Sequence, residues 1–287
     1  MSSSDSESHI GRGVLLVALA ALLWSTGGLG IKGIPDSALK VAFYRSLIAA
    51  VVLLAWFRPW RVKVSAPFLV AIASYALCLT TFVIATKWTT AANAIFLQYS
   101  GVIWVLLLSP VFLKEPLRGR DIFAIGAALC GMALFFVHDF EARGLAGSLV
   151  ATLSGLFFAA LIMSLRFQRG ASAEAAVTWG NVLTSLALLP FVANDLLLTP
   201  KSLGVLTFLG VFQIGVAYAL FVAGIKYVTA TQASLTGMLE PIANPVWVFF
   251  FLGERPHALA IAGACIVLAA IAWHTWVAGR GVPVVGT

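Results

Sequence analysis

The chain has 287 residues, of which 61% are hydrophobic and only 10% charged. A soluble domain carries about 25% charged and about 45–50% apolar residues, so this composition excludes a soluble enzyme, a nucleic-acid-binding domain, a coiled coil and a disordered protein. The net charge of +7 then fits basic cytoplasmic loops rather than a nucleic-acid partner, and unbroken apolar runs exclude the period-two alternation of an outer-membrane barrel.

In chain order, residues 1–12 are Ser-rich with Asp5 and Glu7 and read as a disordered cytoplasmic tail without the basic region of a signal peptide. Ten apolar runs follow, at 13–31, 38–57, 66–86, 91–113, 121–138, 146–165, 175–194, 203–225, 231–252 and 257–278, and residues 279–287 form a second short tail. A transmembrane helix needs about 20 apolar residues, so the predicted fold is all-α and integral to the membrane, with ten spans. Breaks fall at Lys-Gly-Ile-Pro-Asp 32–36, Arg-Pro-Trp-Arg 58–61 and Arg-Gly-Arg-Asp 118–121. With the N-terminus inside, eleven basic residues lie in inside segments and six in outside ones, which predicts both termini in the cytoplasm. Cys78, Cys130 and Cys265 each sit in an apolar run and read as packing residues, and no His pair has metal-ligand spacing. No metal or cofactor is expected.

The chain repeats. An offset of 139 aligns Lys87 with Lys226, Thr90 with Thr229, Ala91 with Ala230, Ala94 with Ala233, Ile103 with Ile242, Phe112 with Phe251 and Glu115 with Glu254. Lys, Thr and Glu are scarce here, so their joint alignment carries most of the weight. An offset of 134 places Gly13, Leu15, Leu19 and Leu22 on Gly147, Leu149, Leu153 and Leu156. Five spans per copy is an odd number, so the second copy, 146–278, is predicted to be inverted relative to the first, 13–138. Inverted repeats let two similar halves exchange roles around a central site.

Leu23-Trp24-Ser25-Thr26, Phe43-Tyr44-Arg45, the stretch from Lys87-Trp88-Thr89-Thr90-Ala91 to Phe112-Leu113-Lys114-Glu115-Pro116, and the stretch from Leu239-Glu240-Pro241-Ile242-Ala243 to Phe251-Leu252-Gly253-Glu254 follow one another along the chain. In that order they resemble the EamA-type ten-span members of the drug/metabolite transporter superfamily, over residues 13–278. The resemblance implies export of amino acids and other small metabolites, most like exporters of aromatic and neutral amino acids. The mid-span proline of the family is present as Pro241, but Val102 stands at its first-half counterpart. The two halves are therefore expected to differ in flexibility.

Glu240 is the only acidic residue deep in a span, about 13 Å from the cytoplasmic end of span nine at about 1.5 Å per residue. A carboxylate there is costly and points to function, as an ammonium site or a proton carrier, with a structural role as the alternative. Gln232, Thr236, Glu240 and Asn244 recur every fourth residue and share one helix face, expected to line a central cavity. Pro241 and Pro245 remove helical hydrogen bonds and free carbonyls near Gly237 and Pro241, so they read as hinges, as does Pro110. Arg45 reads as structural first, with a substrate carboxylate or Glu240 as other partners. The remaining substrate-binding candidates are Trp24 and Ser25 in span one, Tyr75 in span three, Asn93, Gln98, Tyr99 and Trp104 in span four, Phe158 in span six, and Gln213 and Tyr218 in span eight. Asn181, Thr184 and Ser185 read as glue between helices.

The sequence thus predicts a secondary transporter, not an enzyme, in the bacterial inner membrane. It would export neutral amino acids, aromatic ones included, by alternating access, and a monomer would suffice. Backbone and neutral side chains are expected to do most of the recognition. No G-x-x-x-x-G-K-[ST] sequence is present, so a gradient would supply the energy. The alternatives are export of another small metabolite or drug, such as a sugar, nucleoside or cationic compound, and, more remotely, an intramembrane enzyme or receptor.

Overall fold

The computed structural model describes residues 3–136, 144–168, 170–252 and 258–279. Among these, all regular structure is helical: α1 Ser3–Trp24, α2 Gly27–Lys32, α3 Ala38–Phe57, α4 Ala66–Trp88, α5 Ala91–Gln98, α6 Gly101–Phe112, α7 Gly119–Phe136, α8 Leu145–Gln168, α9 Gly170–Val192, α10 Pro200–Phe208, a π-helical stretch Leu209–Val216, α11 Ala217–Ile225, α12 Ala230–Gly237, α13 Leu239–Leu252 and α14 Ala258–Gly279. Eight stretches are long and apolar enough to cross a membrane: His9–Lys32, Ala38–Phe57, Ala66–Trp88, Ala91–Phe112, Leu145–Gln168, Ser172–Val192, Pro200–Ile225 and Ala258–Ala278. α7 and the α12–α13 pair fall where the sequence predicts spans five and nine, and they are not among the eight. The end of span five at 138, Glu254 of the second motif and the tail from 280 onward lie outside the described residues.

The sequence places a disordered tail at 1–12, whereas α1 begins at Ser3.

Four predicted spans are interrupted. Span one breaks after Trp24, where Ser25 Oγ and Thr26 Oγ1 donate to the Leu22 and Leu23 carbonyls at 2.6 and 2.7 Å, competing with the helical ladder. Span eight widens into the π-helical stretch, a form that concentrates at functional sites. Span nine breaks at Met238, three residues before Pro241, whose ring nitrogen has no hydrogen to give the Gly237 carbonyl. Span four breaks between Gln98 and Gly101, with tight bonds from Ser100 N to Leu97 O and from Val102 N to Tyr99 O. The 139-residue offset carries Tyr99 onto Met238, so both fourth spans break at the same register. Val102 stands where the second half has Pro241, so the break in the first half forms without a proline.

The scarce identities of the repeat have structural causes. Thr90 and Thr229 are the N-caps of α5 and α12, accepting from Asn93 N at 3.0 Å and Gln232 N at 3.1 Å. α4 and α8 pack antiparallel along their length: the start of α8, at Gly147, lies on Trp88 and Thr89, and at its other end Gln168 Nε2 donates to Pro67 O at 3.5 Å. Glycine sets the closest approach. A Cβ on Gly101 would run into the Gly155 carbonyl oxygen, and one on Gly155 would lie 2.6 Å from Gln98 O. The broken ends of spans one, four, eight and nine meet in the middle of this bundle.

Candidate functional site

These breaks surround a central cavity of about 30 Å³, room for a water molecule or two. Trp24 at the end of α1, Phe158 of α8 and Tyr218 of α11 form an aromatic wall. The Trp24 ring lies 4.9 Å from Tyr218 and 6.3 Å from Phe158, centroid to centroid. Tyr75 backs the wall, 4.7 Å from Tyr218, and its hydroxyl accepts from Asn181 Nδ2 at 2.7 Å.

Two ionisable side chains line the same cavity. Arg45 of α3 is 2% exposed, and its Nε and Nη1 have no hydrogen-bond partner among the described residues. Glu240 of α13 is 6% exposed. No ion pair joins the two. Tyr99 Oη lies 2.6 Å from Gly237 O and 2.9 Å from Glu240 Oε2. The carbonyl freed by Pro241 therefore has a tyrosine hydroxyl in place of the missing backbone donor. Gln98 and Gln213 supply amides to the walls. Gln98 Nε2 donates to Ser154 Oγ at 2.9 Å. Gln213, carried by the π-helical stretch, donates to Trp24 O at 3.4 Å and leaves Oε1 unpartnered among the described residues.

Polar fastenings close the two ends of the bundle. At one end Lys32 Nζ donates to Thr89 O at 2.6 Å and Lys87 Nζ to Ile34 O at 2.7 Å. At the other, Arg166 Nε donates to Glu115 Oε1 at 2.8 Å, and its Nη1 reaches the Ile225 and Lys226 carbonyls at 3.4 and 3.3 Å. Glu115 Oε2 also accepts from Ala230 N at 2.9 Å. The antiparallel course of α4 and α8 puts these groups at opposite ends, and the 134-residue offset carries Lys32 onto Arg166. In each half a base at the end of the first span thus holds carbonyls at the end of the third.

Residues 11–137 and 145–276 each match the EamA-like transporter family. The chain belongs to that family. It is 30% identical to the "Uncharacterized transporter YwfM" of Bacillus subtilis, over 88% of this chain and 90% of the relative. The "Pseudopaline exporter CntI" of Pseudomonas aeruginosa is 25% identical over 90% and 94%, and the "Probable terminal-alkyne amino-acid exporter" of Streptantibioticus cattleyicolor is 23% identical over 88% and 87%. A solved crystal structure of a protein superposes with a TM-score of 0.76 over 94% of this chain and 99% of its own, at 17% identity, a likeness of fold alone. This EamA protein is a multi-pass membrane transporter and not an enzyme.

The residues singled out in the sequence of this EamA chain fall into three groups. Trp24, Gln98, Phe158, Gln213, Tyr218 and Glu240 line the cavity, with Tyr75 and Tyr99 behind them. Ser25, Asn93, Thr236 and Asn244 are buried outside it. Ser25 Oγ accepts from Trp247 Nε1 at 2.7 Å and ties span one to span nine. Asn93 sits near the Lys32 end, its Nδ2 donating to Thr89 Oγ1 at 3.3 Å. Of the four-residue stripe on span nine, every member faces inward but only Glu240 reaches the cavity. Trp104 forms the third group: at 42% exposure it lies on the outer surface, so its place among the substrate candidates is corrected. Its position one residue from the inward-facing Val105 gave an outward direction that composition alone hides. Pro110 stays within an unbroken α6, and Pro241 and Pro245 lie within α13 rather than at its break. Asn181 bridges helices, whereas Thr184 and Ser185 bond to their own helix.

The sequence reading ranked Arg45 as structural. The signal that it faces a cavity is the absence of a carboxylate at its depth on any neighbouring span except Glu240, which it does not pair.

Proposed function

We propose that the protein exports neutral amino acids, aromatic ones included, from the cytoplasm across the bacterial inner membrane by alternating access. The observation that carries the reading is Arg45: a buried guanidinium whose Nε and Nη1 lack partners among the described residues, in one cavity with the Glu240 carboxyl group and beside an aromatic wall. An amino-acid carboxylate satisfies such a fork bidentately, an ammonium fits Glu240, and the side chain packs on Trp24, Phe158 and Tyr218. The relative named an amino-acid exporter supports this. The cavity admits no amino acid as it stands, which fits a closed form between two open ones.

The same reading takes ten spans in two inverted halves, counting α7 and α12–α13 with the eight, both termini cytoplasmic, and a monomer as the working unit. The fastenings at opposite ends, built from positions equivalent under the repeat, support the inversion. A second reading is export of another small metabolite, favoured by the relative named a pseudopaline exporter.

Counterflow in proteoliposomes tests the first against the second. Vesicles loaded with unlabelled phenylalanine, leucine or threonine are expected to take up the labelled amino acid transiently. Failure of all three, with exchange of a different metabolite, sinks the amino-acid reading.

A further inference from the structure

We propose that Glu240 carries a dissociable proton in this closed form, and that Tyr99 couples that proton to the backbone break of span nine. The argument is a count of hydrogens. A phenol has one to donate. Tyr99 Oη is within hydrogen-bond distance of two oxygens, Gly237 O at 2.6 Å and Glu240 Oε2 at 2.9 Å. Gly237 O is a carbonyl and can only accept, and Pro241 has removed the backbone donor that would otherwise fill it. The tyrosine hydrogen therefore goes to Gly237 O, the shorter contact. The contact to Glu240 then needs a hydrogen from the carboxyl: Glu240 donates to Tyr99, and Tyr99 donates to Gly237.

Loss of the proton reverses the chain. The carboxylate can only accept, so the Tyr99 hydrogen turns toward Glu240, and Gly237 O is left buried without a donor at the junction of α12 and α13. Ionisation of one side chain is thereby felt by the backbone where the span is already broken. The groups that face Glu240 across the cavity are Arg45 on α3, Cys78 on α4 and Tyr218 on α11, with Tyr75 of α4 behind Tyr218 and Tyr99 between α5 and α6. Among the described residues of that wall there is no second carboxylate and no histidine, so a proton held here has one site. Arg45 favours the carboxylate once the proton has left, and a substrate ammonium takes the vacated place.

Only the final step, exchange of a proton for a substrate, rests on the amino-acid reading. There the Glu240 O–H bond breaks, the proton leaves into water on the open side, and the substrate ammonium pairs with the carboxylate. On release the carboxylate takes a proton from the other side. A zwitterion carries no net charge, so each cycle moves one positive charge opposite to the substrate.

The test begins on substrate-free protein in lipid nanodiscs. Infrared difference spectra across a pH titration are expected to show a protonated-carboxyl band that bleaches as pH rises and is absent from Glu240→Gln. No such band in the wild type, or an unchanged band in the variant, overturns the proton. Hydrogen exchange at the Gly237–Glu240 junction, corrected for its intrinsic pH dependence, is expected to rise as the band bleaches, and to lose that response in Tyr99→Phe. A response that survives in Tyr99→Phe overturns the coupling. Counterflow with the same protein reconstituted into proteoliposomes separates the two readings. Without it the amino-acid assignment fails and the band still decides the proton. With it, proton entry reported by a trapped pH dye must accompany phenylalanine efflux, or the exchange step is wrong.

Discussion

A guanidinium withdrawn from water with Nε and Nη1 unfilled costs several kcal/mol, and Arg45 bears that cost in this closed form. A carboxylate that supplies both acceptors recovers it, so the residue gains more from a ligand than its neighbours do. Truncating one partner of a buried charge pair costs roughly 2–5 kcal/mol. Arg45→Ala is therefore expected to weaken phenylalanine binding by about 30-fold or more at about 1.4 kcal/mol per tenfold. Arg45→Lys is expected to recover little, because an ammonium lacks the planar fork. Equilibrium binding of labelled phenylalanine to the purified protein measures both, and an unchanged Kd for Arg45→Ala would remove the residue from the site. Trp104→Ala serves as the contrast, with no expected change, since that ring lies on the outer surface. At this scale sequence reasoning reached Glu240, the stripe and most of the aromatic wall, because scarce polar residues in an apolar run are conspicuous. It did not reach the cavity-facing direction of Arg45 or the outward direction of Trp104, because depth along a span is legible from counting residues while direction around the helix depends on how the spans pack.

Among the elements, the broken spans decide which groups are available. Pro241→Ala restores an N–H that can reach Gly237 O in competition with Tyr99. The expected outcome is a straighter span nine, a higher Tm and a lower initial transport rate, read by thermal unfolding and by efflux from proteoliposomes. A faster transporter would contradict the hinge. Gly101→Ala acts on the opposite half. Its methyl meets the Gly155 carbonyl, backbone against backbone, with no side chain free to yield. Such overpacking costs roughly 1–3 kcal/mol, and Tm is expected to fall. The proline-induced break was legible in the sequence. Its counterpart at Tyr99–Ser100 was not, because no proline marks it and the residues whose backbone closes the tight turn there carry no break signal in their type. The π-helical stretch that carries Gln213 also has no signature in residue type.

For the whole molecule, closure is divided between two unequal fastenings. The fastening at the Lys32 end consists of ammonium groups on backbone carbonyls, with Lys32 itself exposed; the ion pairs of Lys40 with Asp36 and Asp195 at that end tie α3 to the α9–α10 connection instead. The Arg166 end adds a largely buried ion pair to Glu115, with the pair's side chains 7% and 14% exposed, and Glu115 in turn caps the start of α12. Glu115→Gln is expected to loosen that end. A single cysteine placed at the buried Gln232 should then react faster with a membrane-impermeant maleimide applied to inside-out vesicles, with no gain from the opposite face. Equal reactivity in the parent and the variant would detach this ion pair from closure. The repeat predicted that the two ends would be related, but it gave no hint that their strengths would differ, since Lys32 and Arg166 carry the same charge.

That inequality has a kinetic signature. When the state that accepts substrate is only a fraction of the population, the apparent dissociation constant rises by the reciprocal of that fraction. A carrier that opens more readily at the Lys32 end should therefore half-saturate at a lower substrate concentration on that side than on the other. Detailed balance then requires the maximal rates in the two directions to differ in the same proportion, so at zero net driving force nothing accumulates. The unequal fastenings set the concentration range over which each face responds, and leave the final gradient to whatever ion is exchanged.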